Sequence, residues 1–284
     1  MANVGSLLLP ISNLTNLLFA DAFRQTFAAF AARMIVPQLV ALVTTYAILR
    51  WHFRRQLPSR FDSELLPDAA SVVPNHAYFL VCVTVLFAVL ICYFLAPLLG
   101  LEPYVFALAG SAVLAFAGMA AGRVNIRAVR ELAWDLFPFV IGLFISVQGL
   151  ENLGIIGASS GWLAEMRPGS AEKLLTAAGA TAFAANIVNN LPAALIARSV
   201  LLRSHAHMGT VLAALIGANA GPMITPFGSL ATMLVLAFAR RDGEEVRTGE
   251  LVPLGLWAVP VIIILTTLTL ALSFAVAGVA NLVQ

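Results

Sequence analysis

Two stretches of the chain, ANVGSLLLPISNLTNLL at 2–18 and ANAGPMITPFGSLATML at 218–234, write one pattern twice, 216 positions apart. Six of the seventeen columns are identical: Ala2/Ala218, Asn3/Asn219, Gly5/Gly221, Pro10/Pro226, Leu14/Leu230 and Leu18/Leu234. Composition alone would supply about one or two such matches. Asn, Gly and Pro are not the abundant residues here, so the repeat is taken as real. Each copy is apolar enough and long enough to cross a bilayer, yet each is interrupted in its middle. That leaves few folds open, because non-helical backbone at membrane depth survives only where protein or a watery cavity satisfies its N–H and C=O groups.

Composition supports the membrane setting. Of 284 residues, 61% are hydrophobic and 11% charged, against about 45–50% and 25% in a soluble domain. The net charge is +2, and the sixteen Lys and Arg are spread through connections, which argues against nucleic acid as a partner. Cys82 and Cys92 share one apolar span. Their spacing puts them roughly 15 Å apart along a helix, too far for a disulfide or a shared metal ion. The opening apolar run, broken by Pro10 and Asn13, does not read as a secretory signal. A chain that opens inside a repeated internal motif is expected to be N-terminally incomplete.

Uninterrupted spans are expected at about 29–51, 77–99, 103–121, 132–156 and 251–280. The segment 172–204 has NIVNNLP at its centre, too long for one span and too short for two. It is read as a re-entrant hairpin with Asn189, Asn190 and Pro192 at its tip. Ten of the sixteen basic residues lie in the connections 50–75, 122–131 and 239–250, which places these on the cytoplasmic side. Counting crossings, the two repeated segments then run in opposite directions. The expected organisation is a remainder of a first repeat at 1–51, a cytoplasmic loop at 52–75, and a second repeat at 76–284. The second repeat holds three spans, the hairpin 172–204, the broken helix 210–238 and the last span 251–280. The fold class is thus an all-α polytopic membrane protein, an inverted-repeat secondary transporter with two broken helices and one re-entrant hairpin.

Opposed broken helices put a binding site near the midplane, where freed carbonyls and half-helix N-termini meet the solute. The candidate substrate-binding residues are Asn3, Ser12, Asn13 and Thr15 at the first break, with Asn16 beside them. Asn219, Thr225, Ser229 and Thr232 line the second break, and Asn186, Asn189 and Asn190 the hairpin tip. All are neutral, and each can donate and accept. Gly5, Pro10, Pro192, Gly221 and Pro226 are expected to shape the backbone. Ionisable groups within spans are costly and usually have a task, so Asp135 and Glu151 are candidates for carrying a coupling proton. The four histidines fall in connections. No cofactor motif, no metal-ligand cluster and no nucleophile–base set is visible, so the chain reads as a transporter and not an enzyme.

The motifs ANVGSLLLPISNLTNLL, NIVNNLPAALI and GPMITPFGSLATML resemble the arsenite efflux permease family, ArsB-type, of the ion transporter superfamily. WDLFPFVIGLF and QGLENLG are similar to it as well, and the five segments stand in family order along the whole chain. The resemblance implies export of arsenite or antimonite as neutral trihydroxides across the inner membrane, driven by proton exchange and conferring arsenical resistance. It also implies that a cytoplasmic ATPase subunit can join as partner. Family members carry a further upstream region with a first hairpin, so a separate N-terminal half or a second copy of the chain is an expected partner besides the lipid. Two other readings are a sodium-coupled anion carrier of the same superfamily and a non-transporting membrane subunit.

Overall fold

The computed structural model describes residues 1–56, 73, 75–123, 134, 136–241 and 248–283. Among these there are helices and turns and no strand. The helices are α1 Ala2–Gly5, α2 Leu14–Ala22, α3 Phe27–His52, α4 His76–Leu99, α5 Pro103–Ala120 and α6 Leu136–Asn152. They continue with α7 Ile155–Glu165, α8 Ala171–Val188, α9 Asn190–Arg203, α10 Met208–Ala220, α11 Leu230–Arg241 and α12 Thr248–Val283. Four stretches are long and apolar enough to span: Phe27–His52, His76–Leu99, Pro103–Ala120 and Leu251–Val276. The chain is an all-α membrane protein.

Two units form. Residues Arg55–Pro138 make one, in which α4 and α5 pack as a pair, α4 capped at its start by Asn75 Oδ1 accepting the Tyr78 N–H at 3.0 Å. Met1–Arg54 and Phe139–Gln284 make the other, which holds both repeated segments.

The centre of that second unit is α10, in which every residue from Gly209 to Ala220 is buried. A helix apolar on all sides is stable only when it is surrounded, and α8, α9, α2 and α12 surround this one. Its contact with α8 is close. A Cβ on Gly217 would lie 2.0 Å from the Ala178 carbonyl oxygen, and one on Gly221 would lie 2.5 Å from Ala182 Cα. Gly217 and Gly221 stand four apart opposite Ala178 and Ala182, the small-residue spacing that lets membrane helices touch backbone to backbone. Packing of this kind replaces the hydrophobic effect, which does little between helices already in lipid.

The long helix α3 buries one stripe, Phe27, Phe30, Met34, Pro37, Gln38, Ala41 and Thr45. The stripe follows the three-to-four-residue helical spacing. Its other face, with Ile35, Val36, Leu39 and Val43, is exposed, as a lipid-facing surface should be. It packs on α12, whose Val259, Ile262, Thr266 and Leu270 are buried in turn. One expected span is shorter than read from sequence. Among the described residues of the apolar run 132–156, the helix that includes Leu136 ends at Asn152, and a new one, α7, starts after Gly154, whose φ of 79° no helix can hold.

Candidate functional site

Both repeated segments are interrupted, and in both the helix resumes at one matched column. In the first, α1 stops at Gly5, Pro10–Ser12 forms a 3-10 turn, and α2 begins at Leu14. In the second, α10 stops at Ala220, Gly221–Met223 forms a 3-10 turn, and α11 begins at Leu230. The helix therefore resumes at the shared leucine in each copy. The residue before it is a cap in both. Asn13 Oδ1 accepts the Thr15 N–H at 3.2 Å, and Ser229 Oγ accepts the Thr232 N–H at 3.1 Å. Such caps satisfy donors that the first helical turn leaves free.

The two breaks are bound to each other by side chains. Asn3 Nδ2 donates to Ser229 Oγ at 2.9 Å and to Thr232 Oγ1 at 3.3 Å. Asn219 Nδ2 donates to Asn16 Oδ1 at 2.6 Å, and Asn219 Oδ1 accepts the Thr15 hydroxyl at 2.8 Å. Asn3 and Asn219 occupy one column of the repeat, and Asn16 and Thr232 another. The contact from Asn3 to Thr232 is thus returned from Asn219 to Asn16. Reciprocal pairing of this form is what a two-fold relation between two similar surfaces produces. Thr15, Asn16, Asn219 and Ser229 are at most 1% exposed, so these bonds are shielded from water.

Each break also needs its freed carbonyls held, and the two copies do this differently. In the first, Asn16 Nδ2 donates to the carbonyls of Ser6 and Leu9 at 2.6 and 2.9 Å. In the second, the connection between α8 and α9 serves. Asn186 Nδ2 donates to the Gly221 carbonyl at 2.8 Å, while its Oδ1 accepts the Thr225 N–H at 3.0 Å and the Thr225 hydroxyl at 3.1 Å. Asn189 Nδ2 donates to the Phe227 carbonyl and the Asn190 N–H to the Gly228 carbonyl, both at 2.8 Å.

Asn189 itself sits at φ 78°, ψ 157° between α8 and α9. This is a region almost reserved for glycine, and a side chain there costs of order 1–3 kcal/mol. Three bonds hold it: its amide to Phe227, its Oδ1 to the Leu191 N–H at 3.4 Å, and the Asn190 anchor. Pro192 falls in the first turn of α9, where a missing N–H costs nothing.

Two candidate side chains remain free. Asn190 is a buried residue whose carboxamide makes no hydrogen bond among the described residues, and the exposed Ser12 hydroxyl makes none either. Of the backbone-shaping set, Pro10 opens the first 3-10 turn and Pro226 lies in the unwound part of the second break. Gly221 is required by its approach to Ala182, whereas a Cβ on Gly5 would meet only Leu42 Cδ2 at 3.9 Å. Asp135 lies outside the described residues. Glu151 falls within α6, and its side chain is also outside them. No group of three or more metal-ligating side chains occurs among the described residues.

Sequence reasoning passed over two contributors. Ser6 is buried, donates to the Asn3 carbonyl at 2.8 Å and accepts from Asn13 Nδ2 at 3.4 Å. Gln38, 3% exposed in α3, donates to the Val4 carbonyl at 3.0 Å and leaves its Oε1 unpaired. The signal for Gln38 was present: a lone amide in the middle of an apolar span rarely lacks a task.

The comparisons agree on one family. The sequence model of the arsenical pump membrane protein matches residues 1–274. The chain is 31% identical to the arsenical pump membrane protein of Yersinia enterocolitica over 286 residues, covering 97% of this chain and 66% of that one. It is 30% identical to those of Escherichia coli K12 and Shigella flexneri, with 96% of this chain and 66% of theirs covered. It therefore spans 66% of the length of these relatives. No solved structure matches it. A neutral polar site between two interrupted helices, in an all-α membrane chain matched along nearly its whole length, has one family assignment: this chain belongs to the arsenical pump membrane protein family.

Proposed function

We propose that the chain carries arsenite or antimonite, as the neutral trihydroxide, out across the cytoplasmic membrane as a proton-coupled secondary carrier. The observation that supports this most directly is the free carboxamide of the buried residue Asn190, at a connection bonded to the second break, while the buried polar side chains of the two breaks are engaged with one another. A trihydroxide offers hydroxyls that donate and accept, which matches an amide with two donors and two acceptor positions. A buried anion would demand a compensating charge, since desolvating it costs several kcal/mol. Every side chain named at the two breaks and at the α8–α9 connection is neutral.

On this reading Asn190 and Asn189 meet the solute from the tip of a re-entrant hairpin, with Ser12 as a further contact. Asn3, Asn13, Thr15, Asn186, Asn219, Thr225, Ser229 and Thr232 act behind them, holding the two breaks in register. The reciprocal Asn3–Thr232 and Asn219–Asn16 contacts support an inverted pair of repeats. The coupling proton is assigned to Glu151 or Asp135, and a cytoplasmic ATPase subunit is the partner proposed on the inner face.

Arsenite retention is measured in cells lacking their own efflux pump, expressing the 284 residues, the Asn190→Ala variant or an empty vector, with equal membrane levels verified. The expected result is retention lowered by the parent and not by the variant. Retention equal to vector with the parent folded in the membrane would overturn the assignment.

A further inference from the structure

A cavity of about 290 Å³ lies between α3, α11 and α12. Its α3 wall is Thr45, Ile48 and Leu49, and its α12 wall includes Leu254 and Ala258. Asn3 and Thr232, which are bonded to each other across the two breaks, also line it. The α3 stripe continues at helical spacing to His52, whose ring lies 6.4 Å from that of Trp257. Trp51 stands edge-on to Trp257 at 5.9 Å, and the Arg54 guanidinium lies 5.6 Å over the Trp51 ring. Trp257 in turn falls between Leu254 and Ala258, both of the cavity wall. An apolar slot thus runs up to an aromatic and basic cluster. Within α3 there is no acidic residue, and neither Arg50 nor Arg54 pairs with a carboxylate among the described residues.

From this arrangement we infer that the slot is a binding site for one anionic phospholipid. Its phosphate is held by Arg54 and His52, and one acyl chain lies along Thr45–Leu49 toward the Asn3–Thr232 pair. The chemistry fits on both ends. Guanidinium groups bind phosphate through strong charge-assisted bonds, and basic pockets between spanning helices favour anionic headgroups. Tryptophan at the same level suits the boundary between headgroup and chain. An uncharged apolar molecule would leave the basic cluster unused, and a soluble anion would leave the slot unfilled. Such a site needs the membrane setting and is independent of the transported solute.

Tryptophan quenching by bromine-bearing lipid tests it directly. The full chain carrying Trp134→Phe and Trp162→Phe keeps Trp51 and Trp257 as reporters. It is placed in phosphatidylcholine nanodiscs with increasing fractions of brominated phosphatidylglycerol or brominated phosphatidylcholine. Each basic residue near the surface favours an anionic lipid by about fivefold, so phosphatidylglycerol should quench at a several-fold lower fraction. That preference should vanish in Arg54→Gln with His52→Gln. In Ala258→Leu, which fills the slot, quenching by phosphatidylglycerol should fall to the phosphatidylcholine level; Ala231→Leu, on the α11 wall, serves if the first does not fold. Equal quenching by the two lipids in the parent would overturn the site. So would a preference that survives the slot-filling change, since the headgroup would then bind at the surface with no chain in the slot.

Discussion

Removing the amide of Asn219 separates the two breaks at their most buried contact. In Asn219→Ala the Thr15 hydroxyl and Asn16 Oδ1 lose partners at 2.8 and 2.6 Å, at positions with no solvent exposure. A buried polar group left without a partner costs about 1–3 kcal/mol in soluble proteins. Interhelical hydrogen bonds in membranes average about 0.6 and reach about 1.7 kcal/mol, because the unfolded chain in lipid finds other partners. Both groups are fully buried and Asn16 also holds the unwound backbone of the first break, so the upper end applies and the pair is worth about 2–3 kcal/mol. Asn3→Ala is the internal control. Its acceptors Ser229 and Thr232 are 2.9 Å apart and can bond to each other, so its loss should cost about 1 kcal/mol or less. Reversible unfolding in mixed dodecyl maltoside and dodecyl sulfate micelles, followed by circular dichroism, gives both values. Adding Thr15→Val completes a cycle with an expected coupling of about 1 kcal/mol. Asn219→Ala within about 0.5 kcal/mol of the parent, or cheaper than Asn3→Ala, would refute the reciprocal-contact reasoning.

Gly217→Ala places a methyl group on the Ala178 carbonyl, so it should destabilise by about 3 kcal/mol or more and lower the folded yield in membranes, as overpacking does. Gly5→Ala, at the other end of the repeat, should stay near the parent in the same assay. Asn189→Gly relieves the backbone strain at the α8–α9 connection but loses the amide bond to Phe227 and the cap on the Leu191 N–H. Since the strain is of order 1–3 kcal/mol and the two bonds about 0.6 kcal/mol each, unfolding should shift slightly toward greater stability. A clear loss of stability would mean that the strain is not there.

Much of this site can be read along the chain, and the reasons are local. Proline, glycine and asparagine in an apolar run interrupt a helix wherever they fall, so both breaks follow from their own residues. The caps Asn13 and Ser229 are short polar side chains just ahead of a helical leucine, a relation that spans three residues and needs no fold. The membrane setting follows from composition and from the length of the apolar spans. The end of α6 at Asn152 was harder, because a single glycine in an apolar run is compatible with a continuing helix.

Which polar groups are free depends on contacts between distant parts of the chain. Asn186, Asn189 and Asn190 look alike in NIVNNLP, yet Asn186 is engaged at every polar position and the Asn190 carboxamide at none. Gly5 and Gly221 share a column, yet only Gly221 meets a backbone 2.5 Å away. The same holds for Asn3 and Asn219, whose partners lie 226 and 203 residues distant. Helix breaks and caps are set by bonds within a few residues, so the sequence carries them directly. Partner choice is set by how α8, α10 and α2 approach one another, at a separation the close Gly217–Ala178 contact imposes, and no local pattern contains that distance.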